Sequence, residues 1–225
     1  MRKTAILLGA TLLPFGAFAA PLGSTAVSSD GPSYNYIQGD YIADGDLRGT
    51  NKDYYGGGVE ASAEIAPHVF VNGRYDRLNV QNDQTNVNRG RLGVGVADFY
   101  NYGGKPGTGV GYYGQVSYER LGLKDIRNGS ADATGTGGSV DLGLRWMVDP
   151  AVEINPSVGY AKFGRISDGG TSLGKAKGMR YSLRTLGYLT DNVALSAEYA
   201  KTDYDISKAN IDFDNELRFG ARLTF

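Results

Sequence analysis

The residues of this chain that could do chemistry are few and poorly partnered. His68 is the sole histidine and cysteine is absent. One imidazole without thiolates cannot assemble a His- or Cys-rich metal centre, and no disulfide framework or lipoprotein acylation point is available. His68 follows Pro67 in a segment that reads as a tight turn, a poor place from which to aim a base at a nucleophile. Gly109-Val110-Gly111-Tyr112-Tyr113-Gly114 fits G-x-G-x-x-G in letters. A dinucleotide site needs a helix after that motif, and here it lies inside an alternating apolar segment. Gly103 to Gly109 resembles a phosphate loop only as far as Pro106, which stands where Ser or Thr must follow the lysine. Asp44-Gly45-Asp46 and Asp203-Tyr204-Asp205 could meet a divalent cation but lack the spacing of a calcium loop, and Asn128-Gly129-Ser130 reads as a loop turn. The expectation is a non-enzyme, with no catalytic, cofactor-binding or metal-binding residue.

One constellation stands out. Arg74, Arg91, Arg145, Arg180, Arg184, Arg218 and Arg222 all fall within alternating segments, on the face opposite the apolar one. Glu60, Glu64, Asp76, Glu119, Asp141, Glu153, Glu198 and Glu216 share that face, as do the small residues Gly93, Gly95, Gly143, Gly159 and Gly220. Enclosed charges must be paired, and near-balance of sign permits it. Such a set either fills a narrow lumen as a salt-bridged plug or forms a charged constriction that selects solutes; the balance favours the plug.

These residues need strands to position them. Side chains alternate with period 2 along nearly the whole chain: Val140, Leu142, Leu144 and Trp146 lie against Asp141, Gly143, Arg145 and Met147. Ten such segments can be counted, near 33–43, 54–66, 69–78, 89–98, 109–120, 138–148, 151–162, 178–188, 193–202 and 215–225. Eight is the alternative count. Connections after the even segments are mostly tight, and those after the odd ones are longer and polar: 44–53, 79–88, 121–137, 163–177 and 203–214. Short turns at one end and long loops at the other are the habit of transmembrane barrels, with the short turns periplasmic. The fold class expected is all-β, a transmembrane up-and-down antiparallel β-barrel.

Mean hydropathy of −0.31 argues against helical spans but not against a barrel, which shows lipid only every second residue. A net charge of −1 gives no reason to expect nucleic acid. At the start, Arg2 and Lys3 precede an apolar stretch from Ala5 to Phe18, and Ala17-Phe18-Ala19 supplies a cleavage pattern. Residues 1–19 are therefore expected to be a signal peptide, 20–32 an N-terminal periplasmic segment and 33–225 the barrel. Alternation alone would also fit a soluble barrel with its apolar face inside. Against that, lysines avoid the strand middles where the arginines sit, since a crowded lumen favours the multidentate guanidinium. Tyr41, Tyr55, Tyr75, Tyr118, Trp146, Tyr160, Tyr181, Tyr199 and Phe225 lie toward the ends of the apolar faces, as interfacial girdles do.

The last ten residues, Glu216 to Phe225, place Leu217, Phe219, Ala221, Leu223 and Phe225 on one face. This run resembles the terminal-strand signal of bacterial outer-membrane proteins, and the resemblance implies recognition by the barrel assembly machinery. More widely, the chain resembles small outer-membrane barrels of the OmpX and OmpA-transmembrane type. Its opening Ser33-Tyr34-Asn35-Tyr36-Ile37-Gln38-Gly39-Asp40-Tyr41 is similar to the first strand of a xanthomonad-type subgroup. That family is usually eight-stranded, so a count of ten departs from it. The resemblance implies a bacterial outer-membrane location, contact with lipid and lipopolysaccharide, and a structural or surface-interaction role through extracellular loops. The alternative function is a narrow porin-like channel for small solutes.

Overall fold

The computed structural model describes residues 27–28, 31–48, 52–81, 85–102, 107–125, 131–167, 172–206 and 212–225. The expected signal peptide lies outside them. Two short strands, β1 (Val27–Ser28) and β2 (Gly31–Pro32), pair with each other. Ten long ones follow: β3 (Tyr36–Arg48), β4 (Lys52–Ala66), β5 (Val69–Val80), β6 (Asn86–Asn101), β7 (Gly109–Asp125), β8 (Ala131–Asp149), β9 (Val152–Ser167), β10 (Ser172–Tyr188), β11 (Val193–Ile206) and β12 (Asp212–Thr224). Each long strand is antiparallel to its sequence neighbours, and β12 pairs with β3 to close a ten-stranded barrel. Closure leaves no unpaired sheet edge. The count of ten holds, and eight does not.

The strands run further than their apolar alternation suggests. The segments expected as long loops at 121–137 and 163–177 are mostly strand, because β7 reaches Asp125, β8 starts at Ala131, β9 reaches Ser167 and β10 starts at Ser172. The physical reason is an inversion of the two faces part-way along each strand. On β5, outward Val71 and Tyr75 give way to Arg77 and Asn79, while inward Asn72, Arg74 and Asp76 give way to Leu78 and Val80. On β7, outward Val116 and Tyr118 are followed by Arg120, and inward Gln115, Ser117 and Glu119 by Leu121 and Leu123. A stretch with polar residues outside and Gly, Thr or Ala among its inward positions resembles a loop in composition, yet it is sheet.

The outer band below this switch is apolar. On β8 it comprises Val140, Leu142, Leu144, Trp146 and Val148, all exposed. Eight residue steps of about 3.3 Å, tilted by about 40°, give a height of roughly 20 Å. The tyrosines Tyr41, Tyr75, Tyr118, Tyr160, Tyr181 and Tyr199 ring its upper edge and are likewise exposed. Near the short-turn end Trp146 donates to the Tyr102 hydroxyl.

Candidate functional site in the barrel lumen

Inward positions stack in three layers. At the long-loop end, Ile42, Leu47, Tyr54, Leu78, Val80, Val87, Leu121, Leu123, Ala133, Ala161, Phe163, Ile166, Ala176, Tyr204 and Phe213 form one buried apolar cluster. Register shifts in β3, between Ile42 and Gly45, and in β12, between Phe213 and Glu216, keep the aliphatic and aromatic residues turned inward. Tyr54 meets Phe213 edge-on at 5.9 Å, and Phe163 meets Tyr204 at 5.7 Å.

The middle layer is charged. Arg218 grips Asp76 with both terminal nitrogens at 3.0 Å and reaches Glu216 with Nε. Arg89 bridges the same two acids, at 3.0 Å to Asp76 and 2.7 Å to Glu216, which also accepts from the Tyr54 hydroxyl at 2.8 Å. Arg74 carries the chain across the lumen, to Asp76 at 3.2 Å, Asp40 at 3.1 Å and Glu60 at 3.1 Å. Arg184 then joins Glu60 at 3.1 Å to Glu198 at 2.8 Å. A second group unites Arg180 with Asp141 at 2.5 Å and Glu119 at 3.4 Å, with Arg91 at 3.7 Å from Asp141. Arginine suits this role, since one planar fork satisfies several carboxylates at once.

Glycines make room for these long side chains. A Cβ at Gly159 would collide with the Asp141 carboxylate, and one at Gly143 with the Tyr113 ring. Both positions were read from the sequence as space for neighbours, and the geometry gives each a named one.

The lowest layer closes the short-turn end. Arg145 pairs with Glu153 through two contacts, at 2.5 and 3.0 Å, and the Tyr188 hydroxyl donates to the same carboxylate at 2.5 Å. The remaining Arg145 nitrogen donates to the backbone carbonyls of Pro32 at 3.1 Å and Ser33 at 2.8 Å. The guanidinium lies over the Tyr34 ring, 4.7 Å from its centroid, and Tyr34 stacks on Phe70 at 4.5 Å. Gly31, with φ of 97°, packs so closely on Phe99 that a side chain there would collide with the ring. The segment before β3 therefore turns into the barrel mouth. Residues 33–35, read from the sequence as the start of the first strand, belong to this stopper.

Most of the expected lumen set comes together: Glu60, Arg74, Asp76, Arg91, Glu119, Asp141, Arg145, Glu153, Arg180, Arg184, Glu198, Glu216 and Arg218 all take part in ion pairs. Glu64 is a correction. It has the inward parity but lies at the rim beyond the lumen; its side chain is exposed, and its backbone amide donates to Asn35 Oδ1 at 2.8 Å. Arg222 is inward but engages Gln38 at 2.9 Å and the Tyr36 ring at 3.9 Å rather than a carboxylate. Two members were missed, Asp40 and Arg89. Arg89 sat at the first residue of its expected segment and Asp40 on the inward face of the first strand, so extending the alternation would have found both. With them, eight arginines face eight carboxylates, once Glu64 is removed.

A cavity of about 140 Å³ remains among these groups, lined in part by Tyr34, Asn72, Arg91, Asn155 and Arg222. Each of these carries a buried polar atom without a protein partner, and a polar space of that size suits a few hydrogen-bonding waters.

The other candidates lie apart from the lumen. His68 sits in the β4–β5 turn with φ of 64°, its Nδ1 3.6 Å from Asp98, which accepts from the Tyr112 hydroxyl at 3.0 Å; all three are exposed. The G-x-G-x-x-G run lies within β7, paired on both sides. Among the described residues no group of three His, Cys, Asp or Glu is arranged to hold a metal. Leu217, Phe219, Ala221, Leu223 and Phe225 share the outward face, where Phe219, Leu223 and Phe225 are exposed.

No family model and no curated protein matches the chain. Among solved structures, an outer membrane channel from Pseudomonas putida F1 is similar over 92% of this chain and 97% of its own, at 11% identity and a TM-score of 0.48. The NanC porin covers 84% of this chain and 99% of its own, at 11% identity and a TM-score of 0.45. Neisserial surface protein A covers 86% and 98%, at 14% identity and 0.42.

Proposed function

We propose that this chain is a bacterial outer-membrane barrel with a sealed lumen, acting in envelope structure or surface contact and not as an enzyme or open pore. The observation that carries the reading is closure by three unlike layers: an apolar core, a paired charge network and the tethered N-terminal stopper. A selective constriction would present unpaired charge of one sign, whereas here seven of the eight inward arginines pair with eight carboxylates.

The outer face supports the membrane placement. Tyr41, Leu92, Val116, Leu142 and Leu195 are between 46% and 66% exposed, which a water-facing sheet has no reason to maintain around a whole barrel. A soluble barrel would carry its core inside along its full length, whereas here a charged layer separates the apolar cluster at the long-loop end from a smaller one of Met147, Leu186, Tyr188 and Ala194 at the short-turn end. On this reading the short turns are periplasmic, residues 1–19 direct export, and the terminal strand is recognised by the assembly machinery. The strands carry the long-loop end well beyond the outer leaflet, where it can meet lipopolysaccharide or a surface ligand.

Single-channel recording in planar bilayers tests the seal. The refolded protein should give no sustained openings, and neither should Arg145→Ala, because the apolar layer still closes the other end. Phe163→Gly and Phe213→Gly combined with Arg74→Ala, Arg184→Ala and deletion of residues 20–34, which open all three layers, should conduct. Stable openings from the unaltered protein would replace this reading with the narrow pore.

A further inference from the structure

Two arginines on the outer surface stand apart from any carboxylate. Arg77 on β5 faces Gly57 and Asn88 across the sheet, and Arg120 on β7 faces Gly90 and Thr136, all four uncharged. Both arginine side chains are exposed, and neither forms an ion pair among the described residues. The outward acids nearest in the register are Asp44, two strands from Arg77, and Asp53 and Asp132, four residues along from Gly57 and Thr136. Strand spacing and rise put all three at roughly 12–14 Å, beyond the reach of either guanidinium.

Strand β6 runs between the two, and its outward residues there are Asn88 and Gly90. Two strand spacings across and one residue pair along place the arginine Cα atoms about 12 Å apart, so both guanidinium groups can close on one group held over Gly90. Nothing in the barrel wall requires Gly90 to be small: a Cβ there would meet nothing nearer than Arg120 Cβ, at 3.9 Å. A glycine inside a strand weakens the sheet, and with open space above it marks a place where a ligand approaches the backbone. The Tyr75 hydroxyl donates to Asn88 Oδ1 at 3.1 Å, which leaves the Asn88 side-chain nitrogen as a further donor beside that space. The level is equally specific. Tyr75 lies two residues from Arg77 and Tyr118 two residues from Arg120, both on the membrane side and about half exposed. Such rings rest at the headgroup level, which brings the two arginines to the height of lipid phosphates.

We propose that Arg77 and Arg120 clamp a phosphate group of an outer-leaflet lipid over Gly90, with Asn88 as a third donor. Arginine suits this ligand, because each planar fork can give two parallel N–H bonds to phosphate oxygens. The assignment rests on the outer-membrane placement given above.

The test uses the refolded full chain in neutral detergent, titrated with diphosphorylated lipid A and, separately, with the same lipid stripped of phosphate and with inorganic phosphate. Each basic residue near an anionic headgroup contributes about fivefold in affinity, so Arg77→Gln with Arg120→Gln should weaken diphosphorylated lipid binding roughly thirtyfold. Gly90→Val should weaken it too, by filling the space over the backbone. Without lipid that variant should unfold at the same midpoint or a higher one, since valine suits an outward strand position. Lys201→Gln, on β11, should leave lipid binding unchanged. Equal lipid binding by the double arginine variant would overturn the site, as would equal binding of the phosphate-free lipid. Unchanged binding by Gly90→Val would overturn the placement over the backbone. A loss with Lys201→Gln as large as with either arginine would show diffuse charge attraction in place of a site. Competition by inorganic phosphate as effective as that of lipid A would overturn the lipid assignment in favour of a free-anion site. A protein that stays dispersed without detergent would fail the membrane placement itself, an outcome read before any lipid is added.

Discussion

Replacing Arg145 by alanine should remove the tie between barrel and stopper. Glu153 is fully buried and Arg145 nearly so, at 0% and 4% exposure. Taking away one partner of a buried pair leaves an uncompensated charge and costs about 3–5 kcal/mol. The two bonds from Arg145 to the carbonyls of Pro32 and Ser33 disappear as well. Their loss is coupled to that of the ion pair, since all depend on one side chain, and cannot simply be added. A fall of about 3–5 kcal/mol is a large part of a barrel's margin if that margin lies near the usual 5–15 kcal/mol. Denaturant unfolding in detergent micelles reads it directly, because Trp146 is the sole tryptophan and sits on the same strand. Limited proteolysis should also cut the variant within residues 31–35, which the native stopper geometry protects. The double change Arg145→Met with Glu153→Leu should recover at least about 2 kcal/mol, since an apolar pair can replace a buried ionic one. An Arg145→Ala protein within about 1 kcal/mol of the parent, or a double variant no better than the single, would refute the reasoning.

Two further expectations follow from single positions. Gly143→Val places its Cβ in the Tyr113 ring and should destabilise the folded barrel by about 1–3 kcal/mol, seen as a lower unfolding midpoint; an unchanged midpoint would mean the ring can move aside freely. Deleting Phe225 should reduce assembled barrel at the cell surface while leaving refolding in detergent nearly intact, as surface labelling and heat-modified gel mobility would report; loss in both would point to a packing role.

The alternating segments made the fold legible. Ten strands, their order and their outward aromatic residues could all be read from period 2, because an apolar outer face and a charged lumen impose opposite chemistry on successive residues. The same rule misread the segments near 121–137 and 163–177. There the faces are reversed, Leu121, Leu123 and Phe163 pointing inward beneath polar outward neighbours, and the Gly- and Thr-rich stretch before Val140 looked like loop. The charge network was legible as a set but not as pairs. That Arg74 links Asp40, Glu60 and Asp76 depends on a register between strands that side-chain alternation does not specify. Glu64 shows the limit from the other side: its parity is correct, but its height on the barrel puts it in water. The N-terminal stopper left no periodic signal, since Gly31 to Asn35 work through backbone carbonyls, one positive φ and one stacked ring.

The central claim is that each strand exchanges its lipid-facing and water-facing chemistry at the tyrosine girdle. The chain has no cysteine, so single cysteines can be placed along the outward face of β8 at 134, 136, 140, 142 and 144 and spin-labelled. In bilayers, labels at 140, 142 and 144 should be accessible to oxygen and shielded from a water-soluble paramagnetic reagent, and those at 134 and 136 should show the reverse. A uniform profile along all five positions, of either kind, would contradict the account.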